Sequence, residues 1–363
     1  MDMKKMMWKP VFSYTDAIVN KLMALEALKN SIVRTNLPSN EMTKLKHEAK
    51  IRSTHYSTGI EGNLLTLTQA RQVIDENKVN FKGRDRDVKE VARYWDALTQ
   101  VENWANNQKT FSEEMIKKLH AIVEKGKRAK GTEYRKEQNV IKDAVSGRIV
   151  YMPPEAKDVT RLMKEMVAWV KEAERQKLPA PVIAALVHYQ FVTLHPYYDG
   201  NGRTARLLST YILFKHDYGL DGMFSLEEYH AIKLAEYYKA LSMHQGVNYY
   251  MGGEKAKLNP WVEYFIDTLY LSYEDLRSRV EERGVKGKTR ESELIRQLDR
   301  RAREIYPLFD RQDMIFSKDV ARILKISTRT ARERINEWIE SGFLEKTGAS
   351  NKNAAYRLGK KYR

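Results

Sequence analysis

Between Leu194 and Arg206 the chain reads LHPYYDGNGRTAR, a set of residue types suited to gripping and displacing phosphate. Pro196 cannot continue a helix, so the His195 imidazole is expected at a helix C-terminus. Gly200, Asn201 and Gly202 tolerate left-handed backbone angles, which lets successive N–H groups turn into one concavity. A helix beginning there would aim its free N–H groups and its dipole at an anion. Arg203 and Arg206 are three apart and share a helix face, two forked donors for two phosphates. Asp199 offers one hard oxygen, enough for Mg²⁺ where phosphates complete its shell. His195 is then placed to take a proton from an attacking hydroxyl.

Such a cradle needs helices on either side, and the flanking sequence supplies them. Apolar residues at spacings of three and four predict helices over Tyr14–Val33, Met42–Tyr56, Thr66–Asn77, Asp87–Asn106, Ser112–Glu124, Val159–Gln176 and Pro181–Leu194. Thr66 or Thr68 is expected to cap the third, Ser112 opens the fifth, and Pro181 sits in the first turn of the last. Trp261–Leu269 is apolar at helical spacing and reads as packing. One stretch departs from this pattern. Asn139–Tyr151 has two β-branched arms around Ser146-Gly147 and stops at Pro153-Pro154, a β-hairpin between helices. Two strands alone are marginal, so the hairpin must lie on the helical body or await a partner strand.

Composition narrows the class. The 363 residues hold 64 Lys+Arg against 48 Asp+Glu, a net charge of +16, and no cysteine. Absent thiols exclude a disulfide scaffold, a Cys nucleophile and thiolate metal sites, and they agree with a reducing cytoplasm. No run approaches the length of a membrane span, so no membrane partner is expected. The start MDMKKMMWKP lacks the apolar core of a secretory signal. The charge points to an anionic partner, and it is uneven: residues 280–363 carry 21 Lys+Arg against 13 Asp+Glu, a surplus of 8. Glu281–Arg290, with two glycines and alternating charge, is read as a joint. The domains expected are 1–105, 106–280 and 281–363.

The stretch His195–Arg206 meets every fixed position of the Fic signature, H-P-[FY]-x-[DE]-G-N-G-R-x-x-R, and the chain resembles that family. The resemblance implies a mainly α Fic-type helical bundle with a β-hairpin flap. It implies transfer of AMP from ATP to a Ser, Thr or Tyr hydroxyl of a protein. His195 would be the base, and Asp199 the Mg²⁺ ligand. Gly200, Asn201 and Gly202 would cradle the α- and β-phosphates, with Arg203 on the β- and Arg206 on the γ-phosphate. Gly131–Arg135 (GTEYR) resembles the approach to the flap. In that flap Asn139, Val140, Ile141, Ile149, Val150 and Tyr151 would clamp the target by strand addition. Tyr237 or Tyr238 would line the adenine pocket. Ser57, Glu61 and Gly62 match the family's inhibitory motif, [ST]-x-x-x-E-[GN], in the class with an N-terminal inhibitory helix; there Glu61 would pair with Arg206 and misplace the γ-phosphate.

The last quarter reads as helix over Ser292–Leu308, a second helix capped by Ser317, a turn at Ile326-Ser327, a helix over Thr328–Glu340, and two strands. It resembles a winged helix-turn-helix. Ser327, Thr328, Arg329 and Arg332 would face DNA, with Lys346 and Lys352 on the wing. Such modules also dock proteins or a second copy of the chain. The leading expectation is therefore an autoinhibited protein adenylyltransferase. Alternatives are a DNA-binding regulator using the Fic body as a nucleotide sensor, a bifunctional enzyme that also removes AMP, and transfer of UMP or phosphocholine.

Overall fold

The structure is a computed structural model that describes residues 7–35, 37–142, 146–242, 247–252, 255–310, 312–347 and 354–362. Two compact units emerge, one of residues 1–35 and 42–279, the other of 36–41 and 280–363. Residues 1–35 and 42–105 thus share a unit with the segment that follows them rather than standing apart, while 36–41 belong to the second unit. Among the described residues, no helix is long and apolar enough to cross a membrane.

The first unit contains α1 (Asp16–Arg34), α2 (Ser39–Ile60), α3 (Leu67–Asp75), α4 (Asp85–Asn106), α5 (Glu113–Lys125), α6 (Ala156–Arg175), α7 (Ala180–Leu194), α8 (Asn201–Lys215), α9 (Leu226–Ile232), α10 (Leu234–Ser242) and the start of α11 (Asn259–Gln297). At its centre is α7, in which every residue except Val192 is buried. A helix apolar all round finds no water-facing side and must be enclosed. Its enclosure comes from α6 on one flank and α8 on the other, with α4 and α5 against α8. Caps hold the boundaries: Thr66 and Gln69 form a reciprocal capping box on α3, and Ser112 Oγ accepts from Met115 N–H at the start of α5. α2 runs past the expected end at Tyr56 to Ile60, which carries Ser57 on its last turn and delivers Glu61 just beyond it.

β1 (Ile141–Lys142) and β2 (Ile149–Tyr151) form the antiparallel hairpin, pairing Ile141 with Tyr151 and Lys142 with Ile149 around a bulge. It does not rest on two strands alone. Met152 N–H bonds to Val247 O at 2.9 Å, and Tyr249 N–H to Met152 O at 3.0 Å. Tyr151, 3% exposed, donates its hydroxyl to Thr193 O on α7.

The second unit differs from expectation in three details. The joint read at Glu281–Arg290 has helical backbone, because α11 continues to Gln297. The helix expected over Ser292–Leu308 breaks at Asp299, whose carboxylate caps α12 (Arg300–Ile305) and accepts from Trp338 Nε1 at 2.7 Å. Ser317 is the first residue of α13 (Ser317–Leu324) rather than its cap; the Asp319 carboxylate instead receives Phe316 N–H at 3.0 Å. After Lys325 in the left-handed region, Ser327 caps α14 (Thr328–Glu340). β3 (Ile315–Phe316), β4 (Leu344–Thr347) and β5 (Ala355–Leu358) make an antiparallel sheet in the order β3-β5-β4. Trp338, Phe343, Ile335 and Tyr356 fill the core beneath it. Lys352 lies outside the described residues.

Candidate active site

His195 caps α7 in the left-handed region at φ 47° and ψ 57°, a conformation a non-glycine residue holds only when its surroundings enforce it. Its N–H bonds to Phe191 O at 3.0 Å and its Nδ1 lies 3.3 Å from Val192 O. A carbonyl can only accept, so Nδ1 carries the proton and Nε2 presents a free lone pair. Burial pushes this imidazole down to about 4, so it is neutral across the physiological range.

The loop after it closes on itself. Asn201 Oδ1 accepts from Tyr197 N–H at 3.0 Å while its Nδ2 donates to Tyr197 O at 2.8 Å. In this arrangement Asn201 braces the turn, and the backbone of Gly200 and Gly202 forms the cradle. Gly200 sits at φ 73°, and a Cβ there would come within 2.5 Å of Glu124 Oε1. At Gly202 a Cβ would collide with Glu61 Oε1. The first turn of α8 is therefore covered by a carboxylate that arrives from α2.

Glu61 is held there by Arg206. Arg206 Nη2 donates to Glu61 Oε1 at 2.8 Å and to Ser57 O at 2.9 Å, and Nε donates to Ser57 Oγ at 2.7 Å. All three members of the expected inhibitory motif take part in this turn: Gly62, at φ 89°, bonds to Gly59 O and lets the chain reverse. Asn63, not foreseen from sequence, pins the reversal by donating to Asp87 O at 3.0 Å and Glu90 Oε2 at 3.1 Å.

Arg203 is 3% exposed and lies among three carboxylates: Glu124 at 3.1 Å, Asp199 at 3.3 Å and Glu90 at 3.8 Å. Asp199 Oδ1 also accepts from Gly200 N–H at 2.6 Å. A cavity of about 400 Å³ opens beside them, lined also by Arg86, Lys89 and Arg93. Among the described residues, no cluster of three or more His, Asp or Glu side chains could hold a metal by itself. Asp199 is well exposed and fits a metal as a single ligand, with the remaining oxygens coming from a bound polyphosphate.

Other expected residues are less alike than their sequence suggests. Tyr237 is 1% exposed and packed among His188, His230 and Trp261. Its hydroxyl meets His188 Nε2 at 2.9 Å, so it belongs to the core. Tyr238 has the open ring of the pair, 48% exposed. In the hairpin, Ile149 and Val150 are exposed, Val140 and Ile141 half-buried, and Asn139 Nδ2 donates to Tyr197 O at 3.1 Å. His120 gave no sequence signal. From α5 its Nε2 donates to Asp199 O at 2.9 Å, and its ring stacks on Tyr197 at 3.5 Å between centroids. Burial pushes it, too, down to about 4.

Two expected outcomes follow from this geometry. Gly202→Ala drives a methyl into the space of Glu61, so it is expected to abolish the polyphosphate binding that the motif implies, measured by calorimetry, while leaving the helical circular dichroism intact. The second concerns acid. His120, His195 and His230 are buried neutral, the last pushed down to about 3 by burial. Between their ordinary value of 6.5 and these lowered ones the unfolded chain binds more protons, so stability is full above about pH 6.5 and falls with acid. Each contributes up to about 1.4 kcal/mol per pH unit. Thermal melts from neutral to mildly acidic pH check this, and His120→Gln should flatten the dependence by one proton.

Residues 110–213 match the model of the Fic/DOC family. The chain is 29% identical over 220 residues to "Protein adenylyltransferase Fic" of Drosophila mojavensis, a match covering 59% of this chain and 42% of that protein. The counterpart in Drosophila grimshawi is also 29% identical, covering 59% and 44%. The match thus spans less than half the length of either relative. In fold, a Fic family protein from Desulfovibrio desulfuricans G20 is similar with a TM-score of 0.62 at 23% identity, covering 97% of this chain and 99% of that one. A Fic domain containing signaling protein from Bacteroides thetaiotaomicron gives 0.61 at 22%, covering 72% and 97%.

Proposed function

We propose that this protein is a protein adenylyltransferase, transferring AMP from ATP to a hydroxyl side chain of a protein, and that Glu61 restrains it. The carrying observation is the Glu61 carboxylate lying over Gly202 on Arg206: an acid accepted at a helix N-terminus and by a buried guanidinium marks an anion site. In the proposed reaction phosphate oxygens replace Asp199 Oδ1 on the Gly200 N–H and meet the Gly202 N–H, and Arg203 and Arg206 hold the leaving pyrophosphate. His195 Nε2 takes the proton of the attacking hydroxyl. Mg²⁺ on Asp199 would add positive charge against the phosphates. The hydroxyl oxygen bonds to the α-phosphorus as the bond to the β-phosphate bridge breaks, and pyrophosphate departs. With Glu61 on Arg206 the γ-phosphate lacks its partner and the α-phosphate is not set in line.

ATP labelled at the α-phosphate, incubated with Mg²⁺ and cell lysate, tests this. Label should pass to protein with the wild type weakly, with Glu61→Gly strongly and with His195→Ala about 10²- to 10⁴-fold less than with its parent; label from the γ-phosphate should not transfer. Mass spectrometry then names the target residue.

For the second unit we propose a winged helix that contacts DNA or docks a protein surface. Arg329 and Arg334 on α14 face Glu333 and Glu337 at 3.5 and 2.7 Å, but these pairs are exposed and weak, so either an acidic protein surface or phosphate can take the arginines. A gel-shift series at rising salt separates the two: DNA binding through Ser327, Thr328, Arg329 and Arg332 would weaken steeply.

A further inference from the structure

Arg135 lies between α5 and β1, 3% exposed, and no ion pair to it is found among the described residues. A buried guanidinium without a carboxylate is costly, and its ordinary remedy would be a nearby acid. Here backbone carbonyls take that place. Nε donates to His195 O at 3.0 Å, Nη1 to Glu137 O at 3.0 Å and Nη2 to Pro154 O, while the Arg135 N–H bonds to Pro196 O at 2.9 Å. Glu137 precedes the first strand of the hairpin and Pro154 follows the second. One rigid planar fork thus joins both feet of the hairpin to the backbone of the base.

Three neighbouring contacts act along the same line. Asn139 Nδ2 bonds to Tyr197 O, the Tyr198 hydroxyl accepts from Lys136 and Glu137 N–H at 3.3 and 3.1 Å, and the Tyr151 hydroxyl reaches Thr193 O. Of these groups only Arg135 touches His195 itself. That residue has the left-handed backbone angle that must be held from outside, and its carbonyl is the group Arg135 grips.

We infer that Arg135 is a positioning residue coupling the hairpin to the base, so that a target strand seated on the hairpin sets the direction of the His195 imidazole. This rests on the AMP-transfer reading for its catalytic consequence, but the mechanical tie stands on the hydrogen bonds alone. A lysine at this place keeps charge but has one nitrogen where three carbonyls wait. A misplacement of the base by about 1 Å costs about 10²-fold in rate.

The test uses the full chain in a Glu61→Gly background with Arg135→Lys and Arg135→Gly. Expected are a fall in kcat of about 10- to 100-fold with the KM for ATP unchanged, faster hydrogen exchange at Ile141 and Tyr151, and a shifted His195 imidazole signal in ¹⁵N-histidine NMR, assigned by its loss in His195→Ala. Millimolar guanidinium should restore much of the Arg135→Gly rate, whereas methylammonium should not. Unchanged imidazole and hairpin signals would overturn the inference, as would a loss of kcat that guanidinium leaves untouched in a protein with an unaltered melt. If the Glu61→Gly parent transfers no AMP, the functional reading fails, and the two spectroscopic measurements still decide the tie.

Discussion

Glu61→Gly should raise AMP transfer by about 10- to 100-fold, the range of an internal coupling worth one to three kcal/mol. Glu61 has two effects on the cradle: Oε1 covers the first turn of α8 at Gly202, and it occupies Arg206 Nη2 at 2.8 Å. Removal frees both at once, whereas Ser57 keeps Arg206 oriented through its Oγ and carbonyl. The gain is therefore expected in kcat more than in ATP affinity, because the γ-phosphate then fixes the α-phosphate in line. Stability should move the opposite way. Arg206 loses its carboxylate, but the Glu61 side chain is 31% exposed, so water replaces part of the loss. The cost is about 1–3 kcal/mol rather than that of a fully buried pair, or about 2–4 °C of melting temperature per kcal/mol. ATP should raise the melt of both proteins by a similar margin, since its affinity changes little. Initial rates with labelled ATP, set against thermal melts with and without nucleotide, check both directions; equal turnover in the two proteins removes Glu61 from the regulation.

His195→Ala should remove about 10²- to 10⁴-fold of the rate, the span of a positioned general base. Binding of ATP should persist, since the proposed reaction assigns the phosphates to Gly200, Gly202, Arg203 and Arg206 rather than to His195. The pH profile adds a sign. A histidine near 6.5 would lose half its base form there, but burial holds His195 down to about 4. The kcat/KM of Glu61→Gly should therefore show no acid limb near 6.5 and should fall only in stronger acid, as the imidazole takes a proton and can no longer accept one. A limb close to 6.5 would mean that another group limits the rate.

Much of the architecture could be read along the chain. Apolar spacing located α1, α4, α5, α6 and α7 to within a few residues, and Ser112, Pro181 and the arms of Asn139–Tyr151 marked their boundaries, because caps and periodicity are local properties of the backbone. Two boundaries failed for different reasons. The break before α12 joins a local Asp299 cap to the remote Trp338, whereas the start of α13 turns on a local signal that competing polar residues obscured, Asp319 rather than Ser317 receiving the backbone N–H. The pair Tyr237 and Tyr238 again turns on a remote partner: adjacent aromatics have equal propensity, and only the packing of α10 decided that Tyr237 goes inside against His188.

For the site, the residue types and spacing of His195–Arg206 determined its chemistry, since a dipole, two glycines and two arginines on one turn suit phosphate wherever the turn is placed. Tertiary structure decided the state of that chemistry. It carried Glu61 across 145 positions to Arg206, set His120 under the Asp199 carbonyl, fastened Arg135 to His195, and buried the imidazoles so that they stay neutral. Desolvation and long-range contact are sums over neighbours distant in sequence, and no window along the chain contains them.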